Sequence, residues 1–324
     1  MRADAIRRLK ALPVLPIPLD PTPIDEPLRL KVDFRLKAEA TRLLIKRDDA
    51  IPFGFGGNKV RKLRLVGAQA IAERADTLIT TGGIQSNHAR ATASVAARMG
   101  LGCVLVANGA PPARPTANAL LDRLLGAEIR YVDRREDRAP EMERIATDLR
   151  ATGSRPFVIP LGASTPLGAA AFALAIGEML EQIPAPDAIV TSTSSGGTQA
   201  GLIAGCVLHG IATRVIGISA DDPSASIAAA IRGILDGLER LLDAPGAFRD
   251  ARIDVDDRFV GDGYGIPTRA STEAIELAAT REALFLDPTY TAKAMAGLLA
   301  RQRAGELQGR VLFWHTGGQV GLFA

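Results

Sequence analysis

Several short stretches of the chain combine residue types and spacings that could do chemistry. In FGFGGNKVRKL, residues 53–63, Lys59 opens a helical pattern directly after a glycine-rich turn and Asn58. Taken alone, that lysine reads as an exposed one, with Arg61 and Lys62 on a solvated basic face. STSSGGTQAGL, residues 192–202, ends a strand and opens a helix. There Gly196 and Gly197 let a ligand approach the backbone, the hydroxyls of Ser195 and Thr198 can donate, and the free amides of a helix start favour an anion. The competing reading is a tight strand–helix turn. No lysine follows the last glycine as in a P-loop, and no GxGxxG is present, which argues against a dinucleotide. A lysine amine beside an anion cradle meets the needs of a phosphate-bearing aldehyde. TTGGIQSNHAR, residues 80–90, crowds Gln85, Ser86, Asn87 and His88 into a strand–helix turn. These suit either a helix cap or a set of donors for a carboxylate. Two of the chain's three tyrosines, Tyr264 in GDGYGIP and Tyr290 in LDPTYTAKAM, sit in turn segments. They suit packing at a domain edge or phenols placed for proton transfer. FWHTGG ends a strand with Thr316 able to donate.

Positioning these groups requires alternating strands and helices. Beyond a proline-rich arm reaching to about residue 40, read as irregular because prolines at that density break helices, TRLLIKRDD reads as a strand. KVRKLRLVGAQAIAERA follows as an amphipathic helix. TLITTGG, CVLVAN, EIRYVD, FVIPLG, DAIVTST, RVIGISA and RVLFWH then read as strands separated by helical stretches, several closed by glycine. Alternation with short links predicts right-handed crossovers and parallel sheet. The expected fold class is α/β, with two open, twisted, mainly parallel sheets covered by helices on both faces. Four strands fall between about 63 and 165. The expected division is a large domain of residues 1–62 and 166–324 around a small one of 63–165. In such sheets ligands bind beyond the carboxyl ends of the strands, where the glycine-rich turns fall.

The bulk properties fit a small-molecule protein. The chain has 324 residues, 47% hydrophobic and 23% charged, with 39 basic and 36 acidic side chains giving a net charge of +3. That near balance, with only 4% aromatics, argues against a nucleic-acid partner. No apolar run is long enough for a membrane span, and prolines interrupt the N-terminal region before a signal-like core can form. A cytoplasmic location is therefore expected. Cys103 and Cys206 lie in apolar stretches and read as buried small hydrophobes. No Cys/His/Asp cluster has metal-ligand spacing.

In this order the segments TPIDEPLRL, IKRDD, FGGNKVRKL, ADTLITTGGIQSNHAR, SSGGTQAGL, YGIP, LDPTYTAKAMAGL and HTGG resemble the D-cysteine desulfhydrase and 1-aminocyclopropane-1-carboxylate (ACC) deaminase family of pyridoxal phosphate enzymes. The resemblance runs from about residue 22 to the end. It implies a cofactor held between two domains, usually in a homodimer. It implies that Lys59 carries pyridoxal 5′-phosphate as a Schiff base, beside Asn58. It places Asn87 on the cofactor's phenolic oxygen, and Ser195, Gly196, Gly197 and Thr198 on its phosphate. Ser86, Asn87 and His88 would face the carboxylate of a small amino-acid substrate. Tyr264 and Tyr290 would flank that substrate, joining Lys59 and Ser86 as the catalytic set.

Departures within the family point to the reaction. Where ACC deaminases carry Glu after the second tyrosine this chain has Thr291, and where they carry HLGG it has His315-Thr316-Gly317-Gly318. A hydroxyl holds a proton on the pyridine nitrogen less well than a carboxylate does. Opening a cyclopropane without an α-hydrogen should need the stronger electron sink, and β-elimination should need less. Thr316 is expected to face the pyridine nitrogen, with Thr291 the second choice. The expected activity is D-cysteine to pyruvate, ammonia and hydrogen sulfide. Gln199, Thr289, Ala292 and the FGFGG loop depart from the desulfhydrases and leave room for L-cysteate sulfo-lyase or another β-elimination or β-replacement. Residues 222–250 carry no useful match. ACC deaminase is disfavoured by the threonines. A non-catalytic binding protein on the same fold would be expected to have lost Lys59 or the tyrosines.

Overall fold

The computed structural model describes residues 2–30 and 41–324. Two sheets organise it. The larger has the order β1-β2-β10-β7-β8-β9, and the smaller β5-β4-β3-β6. In the larger sheet, β10 (Arg310–His315) lies between β2 (Arg42–Arg47) and β7 (Ala188–Thr193), parallel to both. Then follow β8 (Arg214–Ser219) and β9 (Asp254–Asp256), also parallel, and β1 (Ile24–Asp25) closes the other edge antiparallel. The smaller sheet is wholly parallel: β3 (Thr77–Gly83), β4 (Gly102–Asn108), β5 (Glu128–Val132) and β6 (Pro156–Val158).

The central strands are mostly buried because both faces are covered, as parallel sheets require. In β10 the two-residue period sends Leu312 and Trp314 into one core and Val311 and Phe313 into the other. The first core packs against α6 (Pro166–Gln182), α7 (Gly197–His209) and α8 (Ser224–Leu242). The second packs against α9 (Arg269–Glu282) and α10 (Thr291–Arg303). Phe172 of α6 meets Trp314 edge-on at 5.9 Å between ring centres. Leu78 and Leu105 of the smaller sheet face one core, and Ile79, Val104 and Val106 the other. Cys103 and Cys206 are buried free thiols.

The N-terminal arm needs correcting. Arg2–Lys10 form a helix, α1, with Ala5 and Leu9 buried in the larger core. Its sequence precedes the first proline, at position 13, and has Asp4 in the first turn and three basic residues in the last, matching the helix dipole. Residues 31–40 of the expected arm lie outside the described residues. The unassigned stretch 222–250 contains α8, whose Ile227, Ile231, Ile234, Leu235, Leu238 and Leu242 repeat at helical spacing and are buried.

The helix that carries Lys59, α2 (Asn58–Ala72), is anchored by buried charges. Arg61 is 3% exposed and pairs with Asp48 at 2.9 Å and Glu178 at 2.7 Å. Lys46 donates to Glu178 at 2.6 Å and to the Thr22 carbonyl at 2.8 Å. Asp48 also accepts from the Trp314 indole at 2.9 Å. This network joins β2, α2, α6 and β10. The solvated basic face expected of Arg61 and Lys62 is therefore overturned: both are buried, because their partners arrive from distant segments.

Candidate active site

The carboxyl ends of strands from both sheets open into one cavity of about 500 Å³. Lining it are Asn58, Lys59, Ser86, Asn87, His88, Ser195, Gly196, Gly197, Thr198, Tyr264, Tyr290 and Thr316. Every candidate from the sequence except Thr291 is thus brought together.

Lys59 reaches the cavity because the turn before it is fixed on both sides. The Gly57 amide donates to the Asp48 carbonyl at 2.8 Å and the Asn58 amide to the Thr316 carbonyl at 2.9 Å. Buried Arg90, from α3 (Asn87–Met99), donates to the carbonyls of Gly54 and Gly56. Burial pushes the Lys59 amine down to about 8, partly opposed by the charge of Asp287. Asn58 donates from its side-chain amide to the Thr198 hydroxyl at 3.0 Å, tying the lysine turn to the start of α7.

That helix start is the turn that the sequence marks as a candidate anion cradle. Gly196 caps it at φ +79°, a left-handed conformation that glycine adopts without penalty. A Cβ on Gly197 would lie 2.6 Å from Ser164 Oγ and 2.8 Å from Lys62 Nζ, so only glycine fits there. Ser195 and Ser164 share a 2.7 Å hydroxyl contact. Lys62 donates to the Gly162 carbonyl at 3.1 Å and to Ser164 at 3.3 Å. Burial, and then the charge of Lys59, hold the Lys62 amine well below the ordinary lysine value. Among the described residues no carboxylate pairs with it. A buried lysine without a counter-ion at the start of a helix could hold an anion. Sequence reasoning missed Lys62; its spacing of three from Lys59 would put both on one helix face.

The polar turn before α3 supplies a second group of donors. Ser86 caps α3 and accepts from the Ala89 amide at 3.2 Å, leaving the amides of Asn87 and His88 in the unpaired first turn. Asn118, on α4 (Ala117–Leu124), donates from its side chain to Asn87 Oδ1 at 2.8 Å, so Asn87 presents its NH₂ as donor. The Thr80 hydroxyl donates to the Ile159 carbonyl at 2.8 Å and hence accepts from His88 Nε2, also at 2.8 Å. Burial, with the charges of Lys59 and Lys62, holds His88 neutral, and its Nδ1 is an unpartnered buried acceptor.

On the remaining walls, the Tyr264 and Tyr290 hydroxyls meet at 2.8 Å, and Thr316 lies 3.0 Å from the Ser192 hydroxyl. Thr291 points elsewhere. It is fully buried, and its hydroxyl donates to Asp287 at 2.7 Å; Asp287 in turn accepts from the Tyr290 amide at 2.9 Å. Of the two threonines, Thr316 alone lines the cavity. Arg135, Arg138 and Asp221 also line it. They were hidden in the charge-rich run RREDRAPEMER and the turn SADDP.

Residues 18–317 match the family described as pyridoxal-phosphate dependent enzyme. The chain belongs to that family. It is 36% identical over 330 residues to a protein named D-cysteine desulfhydrase from Klebsiella pneumoniae subsp. pneumoniae, covering 99% of this chain and 98% of the relative. A protein of the same name from Salmonella newport is 37% identical over 331 residues, covering 98% of each. Among solved structures, an ACC deaminase homologue superposes with a TM-score of 0.91 at 33% identity, over 100% of this chain and 97% of that one. Threonine deaminase isoform 2 from Solanum lycopersicum shares the fold with a TM-score of 0.71 at 16% identity, over 98% of this chain and 84% of that one. The cofactor is pyridoxal phosphate, and the donor set fits it: an amine of lowered pKa, a phosphate-sized cradle with a lysine beside it, and side-chain donors between them. Among the described residues no helix is long and apolar enough to cross a membrane.

Proposed function

We propose that this chain eliminates the β-substituent of a small amino acid, with D-cysteine as substrate and pyruvate, ammonia and hydrogen sulfide as products. The full-length similarity to the two relatives named D-cysteine desulfhydrase carries this reading. Thr316, a hydroxyl where the ring nitrogen would lie, supports it over ACC deamination.

In this reading Lys59 anchors the cofactor, flanked by Asn58. Ser195, Gly196, Gly197, Thr198 and Lys62 hold the phosphate. Asn87 donates to the phenolic oxygen and Thr316 faces the ring nitrogen. The bound pyridoxal phosphate supplies an electron sink for the pair left at the substrate's Cα. The Lys59 amine, kept partly neutral by burial, takes the α-proton. Ser86 and the first-turn amides of α3, those of Asn87 and His88, hold the substrate carboxylate, and the neutral His88 ring adds no charge beside it. Tyr264 and Tyr290 close over the substrate and pass a proton to or from the departing group.

The resemblance extends the proposal to a homodimer, which sedimentation of the loaded protein tests, and the sequence reading adds a cytoplasmic location. It extends also to domains of 1–62 with 166–324 and of 63–165; the smaller sheet's strands fall inside the latter range and the larger sheet's outside it. ACC deamination is the second reading, favoured by the likeness to the ACC deaminase homologue. The test is 2-oxoacid release by the loaded protein from D-cysteine, L-cysteine, L-cysteate, β-chloro-D-alanine and ACC. Release from D-cysteine above the rest supports the proposal. Release from ACC alone, or L-cysteate alone, replaces the substrate.

A further inference from the structure

Two cations in the cavity have no part in these roles, Arg135 and Arg138. Arg138 opens α5 (Arg138–Ala151) and is 8% exposed. Its Nε donates to the Arg135 carbonyl at 3.0 Å and its Nη1 to Asn108 Oδ1 at 3.3 Å. Among the described residues no carboxylate lies within ion-pair distance of it. Arg135 differs: it pairs with Asp222 at 3.2 Å and Asp221 at 3.5 Å. Asp221, which also faces the cavity, accepts from Ser194 at 3.0 Å as well. That carboxylate is therefore already engaged, and this wall is left with a surplus guanidinium. A mostly buried guanidinium without a counter-ion is unfavourable until an anion reaches it. The other two anionic positions have their own donors, Lys62 and α7 for the phosphate, and the start of α3 for the carboxylate. The titratable groups that act on Arg138 are Arg135, the phenols of Tyr264 and Tyr290, and Asp221, which sets it on the side of the two tyrosines.

We propose that Arg138, oriented by Asn108, is a specificity determinant that receives the substrate's β-substituent as an anion. The ligand class is a small amino acid whose side chain carries negative charge when bound or on leaving, such as a thiolate or a sulfonate. The inference rests on the reading of the cavity as an amino-acid β-elimination site. For D-cysteine, the Cβ–S bond breaks and sulfur leaves with the bonding pair as hydrosulfide. One water is consumed, and pyruvate and ammonia complete the balance. Arg138 meets the charge that departs with the sulfur.

The test is binding rather than turnover. Aspartate and asparagine form a nearly isosteric pair, charged and neutral, and neither has a β-leaving group. The loaded protein is titrated with both enantiomers of each, following the visible band of the bound cofactor. Aspartate is expected to bind at least tenfold more tightly than asparagine of the same hand. Arg138→Leu is expected to abolish that ratio, and Arg138→Lys to keep part of it. Asn108→Ala should lower the ratio with the cofactor band intact. Equal binding of the two in the parent protein overturns the proposal, as does a ratio that survives Arg138→Leu. The outcomes separate from the substrate reading. Pyruvate from D-cysteine with a flat ratio rejects the role of Arg138 alone, and a clear ratio with no pyruvate rejects D-cysteine alone.

Discussion

The hydroxyl of Tyr264 lies 2.8 Å from that of Tyr290, with the rings edge to face at 5.8 Å between centres. One comes from the loop after β9, the other from the residue that precedes α10. Burial pushes the Tyr290 phenol well above its ordinary value and raises Tyr264 too, so both are neutral at pH 7. One hydroxyl proton is spent on the other oxygen, and one remains for a substrate.

Groups that share a proton act as a unit, so their deletions should not multiply. Tyr264→Phe and Tyr290→Phe are each expected to lower kcat/KM about tenfold or more. The double variant should lose less than the product of the two, as measured by steady-state kinetics. Independent roles would give losses that multiply.

Lys59 must be neutral to react with an aldehyde. With its amine at about 8, loading of the cofactor-free protein should speed up as pH rises through 8 and level off above. Its folded pKa also lies below the ordinary lysine value of 10.5. Between the two values the unfolded chain binds more protons, so Lys59 makes the cofactor-free protein more stable as pH rises from 8 toward 10.5. The growth of visible absorbance after mixing, measured across pH 6.5–9.5, checks the first expectation.

Gly197→Ala would drive a Cβ toward Ser164 and Lys62. Cofactor affinity should fall about tenfold or more, as a phosphate held by amides and a lysine is displaced. Lys62→Met should weaken it too, while sparing the fold. Equilibrium dialysis of pyridoxal phosphate reads both.

Glu178 is held down to about 2 against an ordinary 4.5, since its bonds and charge interactions with Arg61 and Lys46 outweigh its burial. A lowered carboxylate stabilises the fold above the unfolded value, and that contribution is lost as pH falls from 4.5 toward 2. Glu178→Gln should cost about 3–5 kcal/mol at pH 7, toward the low end because Asp48 still pairs with Arg61. It should also flatten the acid limb of stability in that window. Urea denaturation at pH 7 and at a series of acid pH values measures both effects.

Much of the site was legible because its groups sit on strand-to-helix turns, where glycine and hydroxyl residues cluster in short runs. The 195–198 cradle and the 86–88 turn are legible in local sequence, whereas Lys59, exposed when taken alone, becomes a reactive amine only beside that cradle. The order of the larger sheet did not: β10, last in the chain, enters between β2 and β7, a pairing of distant segments. Lys62 and Arg61 looked solvated because Gly162, Ser164 and Glu178, which bury them, lie about a hundred residues away. Arg138 was hidden in the same way, since a charge-rich helix start ordinarily faces water. Thr291 resembled Thr316 in sequence, and the structure separates them only through the hydrogen bond to Asp287. The helix α1 was overlooked because the prolines after it dominated the reading of the arm.

The most direct test is the stoichiometry of products from D-cysteine. The loaded protein should release pyruvate and hydrogen sulfide in a one-to-one ratio. Lys59→Ala should release neither and lose the visible band of bound cofactor, while keeping the melting behaviour of the cofactor-free parent. Full activity in Lys59→Ala would contradict elimination at this cavity, and a loaded parent protein that yields no sulfide would contradict D-cysteine as its substrate.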